Sequence, residues 1–221
     1  MKKSVYVIIF LLFSGTLFSQ SSIEFKLITI GLHPDKSLRQ NPLMYENRID
    51  DNANFIFEPG FMISYQKYIY LAALSFQFSQ GFYSDAAAKL AGTTNVLLKY
   101  KLFHKYKFAT SIGLGPSLSY RKDWHDINQY IDNDGYTVNG KWQTKWMLGA
   151  ELSFYYYNGN KGDYSLSFYH GATYGGVLVS VGYRYWINSL AMLSTDCNTC
   201  GNKYNKKRFK SWWKRHVSSH F

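Results

Sequence analysis

The stretch Lys107 to Tyr120, KFATSIGLGPSLSY, decides how the chain is read. Phe108, Thr110, Ile112, Leu114, Pro116, Leu118 and Tyr120 occupy alternate positions. Ala109, Ser111, Gly113, Gly115, Ser117 and Ser119 fill the positions between them. Successive side chains of a strand point to opposite faces, so this is a strand with one bulky, mostly apolar face and one small, polar face. In a soluble sheet the apolar face would point inward. The small residues opposite it fit the narrow interior of a barrel, so the apolar face is assigned to lipid.

Working outward, seven further stretches follow the same period of two. They are Ser22–His33, Asn54–Tyr65, Tyr68–Ser79, Thr93–Phe103, Lys141–Tyr157, Asp163–His170 and Gly176–Ile187. The alternation fades in the first at Ile28–Ile30. Short turns are expected at Gln66-Lys67, at His104-Lys105 and at Asn158–Gly162, the last an Asn/Gly-rich turn signal. Gly171–Gly175 makes a further short connection. Loops are expected at 34–53, 80–92 and 121–140. Eight strands with short turns at one end and longer loops at the other match a transmembrane barrel. The expected fold class is all-β, an eight-stranded antiparallel transmembrane β-barrel followed by a short basic C-terminal tail for which a helix is one option.

Aromatic residues make up 19% of the 221, an excess that suits two interfacial belts. Beyond residue 20 no apolar run is long enough for a membrane-crossing helix. The N-terminus has a charged start at Lys2 and Lys3, an apolar centre from Val5 to Phe13, and small residues before Gln20. Residues 1–20 are therefore expected to be a secretory signal, with an uncleaved anchor helix as the alternative. Residues 21–187 form the barrel and 188–221 a basic periplasmic tail.

The formal net charge is +11, but it is unevenly placed. Lys2 and Lys3 carry +2. The tail carries +6, from seven Lys and Arg against Asp196, which leaves +3 for residues 20–187. A nucleic-acid partner is a poor inference from such a distribution, and the export signal argues against it.

This rhythm resembles the small eight-stranded outer-membrane barrels of the OmpX/OmpA type, over about residues 22–187. The aromatic ending Gly182-Tyr183-Arg184-Tyr185-Trp186 and the export signal carry the resemblance further. It implies a Gram-negative outer membrane, lipid as solvent, and insertion by a machinery that reads an aromatic last strand. The 34 residues after Ile187 depart from the pattern.

Glu58, Lys99, Lys101, Lys145, Glu151 and Arg184 fall on the small face. An eight-stranded barrel has room inside only for side chains, and buried charges must be paired. These residues, with Glu24 and Lys26, are expected to form a charge ladder that plugs the lumen. Structural filling is the plain reading of them. A lipocalin-like soluble barrel, with the aromatics inside, is the alternative fold.

The tail holds Cys197 and Cys200, then His216 and His220, a spacing compatible with a Cys2His2 zinc site. An oxidising compartment favours a Cys197–Cys200 disulfide, and free or redox-active thiols are the third option. Phe209, Trp212, Trp213, His216, Val217 and His220 also recur at helical spacing. A basic amphipathic helix with Phe209, Trp212 and Trp213 at a membrane interface, or a disordered charged tail, would each fit.

An enzymatic alternative rests on His170, which ends its strand on the lipid-facing side. Some outer-membrane barrels are lipid A deacylases, but the segment His170-Gly-Ala-Thr-Tyr174 lacks the His-x-Ser pattern of that family. His125 and Asp126 are a second, weaker pair, of a kind that could hold a cation. No catalytic residue and no cofactor is assigned. The expected role is structural or interactive, with an extracellular partner meeting the loops.

Overall fold

A computed structural model describes residues 20–33, 45–70, 73–128, 130–132, 134–158, 162–171 and 176–187. The strands are β1 (Ser21–Leu32), β2 (Phe55–Tyr70), β3 (Leu74–Ser84), β4 (Leu90–Lys105), β5 (Phe108–Lys122), β6 (Thr137–Asn139), β7 (Trp142–Tyr157), β8 (Gly162–His170) and β9 (Val177–Trp186). All pairings between them are antiparallel. The order runs β5-β4-β3-β2-β1-β9-β8-β7, and β5 pairs with β7 along its whole length, from Phe108–Tyr156 to Lys122–Trp142. Eight strands thus close into a barrel, and no free sheet edge is left among them. The short β6 lies outside the ring, paired with the start of β7.

The faces are distributed as the alternation predicts. In β5, Phe108, Ile112, Leu114 and Pro116 are exposed, while Ser111, Gly113, Ser117 and Ser119 are buried. Around the outside stand Phe25, Leu27, Phe57, Phe61, Ile63, Phe76, Phe78, Val96, Leu98, Leu152, Phe154, Leu166 and Val181, all exposed. The interior holds Glu24, Lys26, Glu58, Gln77, Lys99, Glu151 and Arg184, all buried. A lipocalin-like arrangement would invert both sets. This architecture is the closed eight-stranded barrel that the resemblance implies.

Four connections differ from the sequence reading, each for a local reason. The Gln66-Lys67 turn is absent, and β2 continues to Tyr70. Gln66 is polar because it faces the lumen, where its Nε2 donates to Ser75 Oγ at 2.6 Å. The His104-Lys105 turn moves on to Tyr106-Lys107, where Tyr106 adopts a positive φ of 54°. The 80–92 loop shrinks to 85–89, because Gln80–Ser84 and Leu90–Gly92 belong to β3 and β4. Gly81, Ala91 and Gly92 lie inside the sheet rather than break it: a Cβ on Gly92 would lie 2.5 Å from the Tyr120 ring. The long 121–140 loop also begins later, since Arg121 and Lys122 extend β5, and it contains β6.

The fading alternation at Ile28–Ile30 is a bulge. The register of β1 against both neighbours shifts between Ile28 and Ile30. The extra residue, Thr29, donates its hydroxyl to Val179 O at 3.3 Å. Ile28 keeps the inward parity of Glu24 and Lys26, and past the bulge the parity switches, so that Gly31 rather than Ile30 is turned inward.

Candidate functional site: the lumen and its outer rim

Each strand of the ring is hydrogen-bonded to two neighbours, so the lumen side chains are held in layers. The middle layer centres on Glu151 of β7. It accepts from Lys26 Nζ at 2.6 Å, Lys99 Nζ at 2.9 Å, Gln77 Nε2 at 2.8 Å and Ser153 Oγ at 2.6 Å. Lys99 also donates to Ser153 Oγ at 3.0 Å and Tyr155 Oη at 2.9 Å. Glu24 stands 3.6 Å from Lys26. β1, β3, β4 and β7 are thereby tied across the interior. Charges taken out of water are tolerated when paired and hydrogen-bonded in this way.

Toward the short turns, Arg184 pairs with Asp163, whose carboxylate also accepts from Trp186 Nε1 at 3.0 Å. The guanidinium lies 3.7 Å from the Tyr155 ring centroid and 4.6 Å from that of Trp186. Lys101 sits beside this layer, 5.5 Å from the centroid of Tyr68.

Above the middle layer the interior turns apolar. Ile28, Met62, Leu97, Leu178, Tyr83, Ala91 and Tyr169 form one buried cluster across the barrel. Tyr169 anchors it by donating to Asn95 Oδ1 at 2.5 Å and Ser117 Oγ at 2.7 Å. Leu97 has no exposure at all. This septum is stacked on the salt-bridged layer.

The long-loop rim forms a second packed unit. Tyr45, Ala53, Ile56, Ala86, Ala87 and Trp124 cluster there. Arg121 pairs with Asp134, and its Nε donates to Gln143 Oε1 at 2.7 Å. Its guanidinium is sandwiched 3.7 Å from Trp124 and 4.0 Å from Tyr136. Lys145 Nζ donates to the Asp134 carbonyl at 2.6 Å. Asp85 accepts from Trp124 Nε1 at 2.8 Å and from the backbone N–H of Lys89 and Ala87. Burial pushes the Asp85 carboxyl up to about 6, against the pull of those donors. Lys89 reaches both Asp126 and the Asp123 carbonyl. His125 lies 2.6 Å from Asp123 and 3.4 Å from Asp132. The hydrogen bond to His125 lowers the Asp123 carboxyl, and the same contact raises the His125 imidazole.

The six charges assigned to one ladder therefore fall into separate groups. Lys99 and Glu151 meet, together with Lys26. Arg184 turns instead to Asp163, Lys145 to the loop carbonyl of Asp134, and Lys101 to a ring at the lower edge. Glu58 lies above the septum, fully buried, with His33 Nε2 3.5 Å away as its nearest charge partner. Arg121, Asp134, Asp163 and Tyr155 were not singled out from the sequence. Arg121 shares parity with Ser117 and Ser119, a signal hidden by its assignment to a loop. Asp163 shares parity with Ser165 and Ser167. Nothing local marks Asp134.

His170, the enzymatic candidate, is exposed, and its Nδ1 bonds the Gly176 carbonyl at 2.9 Å. His125 and Asp126 do not share a contact: Asp126 goes to Lys89. No group of three or more metal-binding side chains occurs among the described residues. Cys197, Cys200, His216, His220, Phe209, Trp212 and Trp213 lie outside the described residues.

No family model matches the chain, and no curated protein matches it. Solved structures similar to it include Neisserial surface protein A, at 10% identity and TM-score 0.46, covering 76% of this chain and 96% of the other. Ail of Yersinia pestis aligns at 11% identity and TM-score 0.43, covering 76% and 97%. The outer membrane protein OprG of Pseudomonas aeruginosa aligns at 12% and 0.44, covering 79% and 99%. At such identities and scores the architecture rests on the strand pairing of the chain itself.

Proposed function

We propose that this protein is a non-conducting barrel of a Gram-negative outer membrane, with a structural or surface-interaction role. The occluded lumen carries this reading: a charged layer capped by an apolar septum leaves side chains where a pore would need water. The outward apolar belt supports lipid as the surrounding solvent. The long-loop end would face the exterior, and its packed rim of Arg121, Asp134, Trp124 and Tyr136 would hold a defined surface toward an extracellular partner. Insertion would use the barrel-assembly machinery, with the aromatic strand β9 as its signal. Residues 1–20 would be removed on export, and 188–221 would lie in the periplasm.

The test is electrical. Purified protein in planar bilayers should show no stepwise conductance. Regular, ohmic steps in the wild type would refute the plugged reading. For the tail, zinc content after reducing purification, compared with Cys197→Ser, separates a metal site from a disulfide.

A further inference from the structure

We infer that the short-turn end of the barrel is a binding surface for anionic phospholipid headgroups in the adjoining leaflet. This rests on the reading of the barrel as lipid-embedded and adds a specificity to it. Lys67, Lys105 and Lys107 all lie on the outside at this end, Lys105 and Lys107 around the turn at 106–107. Lys67 sits on the outer face of β2, paired in register with Phe76 of β3 and Ser21 of β1. Lys101 stands near the same level, but its side chain turns inward, 5.5 Å from the Tyr68 ring centroid. Lys105 and Lys107 are exposed.

The carboxylates near this level face the other way. Asp163 is buried inside, held by Arg184 and Trp186, and Glu24 is buried beside Lys26. No exposed carboxylate accompanies these three outward lysines among the described residues of this end. Their positive charge is therefore turned outward uncompensated. The long-loop end differs: Lys89 there is paired with Asp126, and Asp123 and Asp132 flank His125.

The surroundings favour lipid as the partner. Leu102, Phe103 and Phe108 are more than half exposed next to the lysines, and Tyr106 is 80% exposed. Lys105 lies 5.8 Å from the Tyr106 ring centroid and Lys107 5.9 Å from that of Tyr156. Aromatic rings with neighbouring ammonium groups, at the edge of an apolar belt, match the headgroup layer, where lysines reach out from apolar surface.

The experiment measures lipid selectivity of the full chain reconstituted in phosphatidylcholine vesicles, with spin-labelled phosphatidylglycerol or phosphatidylcholine as probes. Wild type should enrich phosphatidylglycerol at its surface by about twofold or more at low salt, and the enrichment should fall as salt screens it. The variant Lys67→Gln/Lys105→Gln/Lys107→Gln should lose most of the preference. Lys122→Gln/Lys141→Gln, at the opposite end, should keep it. Equal association of both probes with wild type overturns the inference, as does an unchanged preference in the triple variant. In those cases normal insertion and a heat-modifiable gel band leave the lipid-embedded barrel standing. A chain that stays out of every bilayer overturns both.

Discussion

Glu151→Gln tests the middle layer. The substitution keeps the shape of the side chain and removes its charge. Glu151 accepts from Lys26, Lys99, Gln77 and Ser153, all within 2.9 Å. An amide would place an NH2 donor among four other donors. Two buried ammonium groups would then depend on Glu24, which stands 3.6 Å from Lys26 only. Leaving a buried charge without its partner costs about 3–5 kcal/mol. A loss of that size is expected in urea unfolding of the reconstituted barrel, followed by tryptophan fluorescence. Glu151→Gln/Lys99→Met should be more stable than Glu151→Gln alone by at least about 1 kcal/mol, because the unpaired ammonium is gone while Lys26 keeps Glu24. A single-variant loss below about 1 kcal/mol would refute the reasoning. So would a double variant that merely adds the two losses.

Three further outcomes follow from the same structure. Leu114→Arg places a charge on the outer face of β5, where Leu114 is half exposed; in lipid this should cost about 2–4 kcal/mol at the midplane. A soluble barrel would tolerate it, so unchanged stability would sink the lipid-facing assignment. Gly115→Ala would bring a Cβ to 2.1 Å from Val96 O, a backbone atom, and should lower stability by about 1–3 kcal/mol or more in the same unfolding assay. Asp85, raised from 3.8 to about 6, keeps its proton in the folded chain where the unfolded chain has released it. Stability should therefore fall as pH rises from about 4 to about 6, by roughly 3 kcal/mol from this group. Asp85→Asn should flatten that part of the profile, and an unchanged slope would contradict the burial argument.

The barrel was legible because its chemistry repeats. Each strand sorts its side chains by parity, and the sorting survives even where local composition misleads. Gln66 and Lys67 look like a turn, yet one serves the lumen and the other the outside. Gly81 and Gly92 look like a loop, yet the first leaves space beside Met62 and the second lies under Tyr120. The bulge at Thr29 was visible as a loss of alternation, though not its role of switching the inward parity from Ile28 to Gly31. The site was harder to read. Parity says which charges share the interior but not at what height, and height decides that Glu151 meets Lys26 while Arg184 meets Asp163. The loop partners of Arg121 and Lys145 come from Asp134, whose position depends on how the 123–141 segment folds over the mouth. Period-two patterns carry no information about that segment.

The central claim is that the apolar face meets lipid and the charged face fills the interior. Heat-modifiable gel migration of protein extracted from an outer-membrane fraction tests it most directly. The claim predicts that unboiled protein in detergent migrates at a different apparent mass from the boiled sample, and that this species is found in the outer-membrane fraction. A periplasmic, detergent-independent protein with no shift on boiling would contradict it.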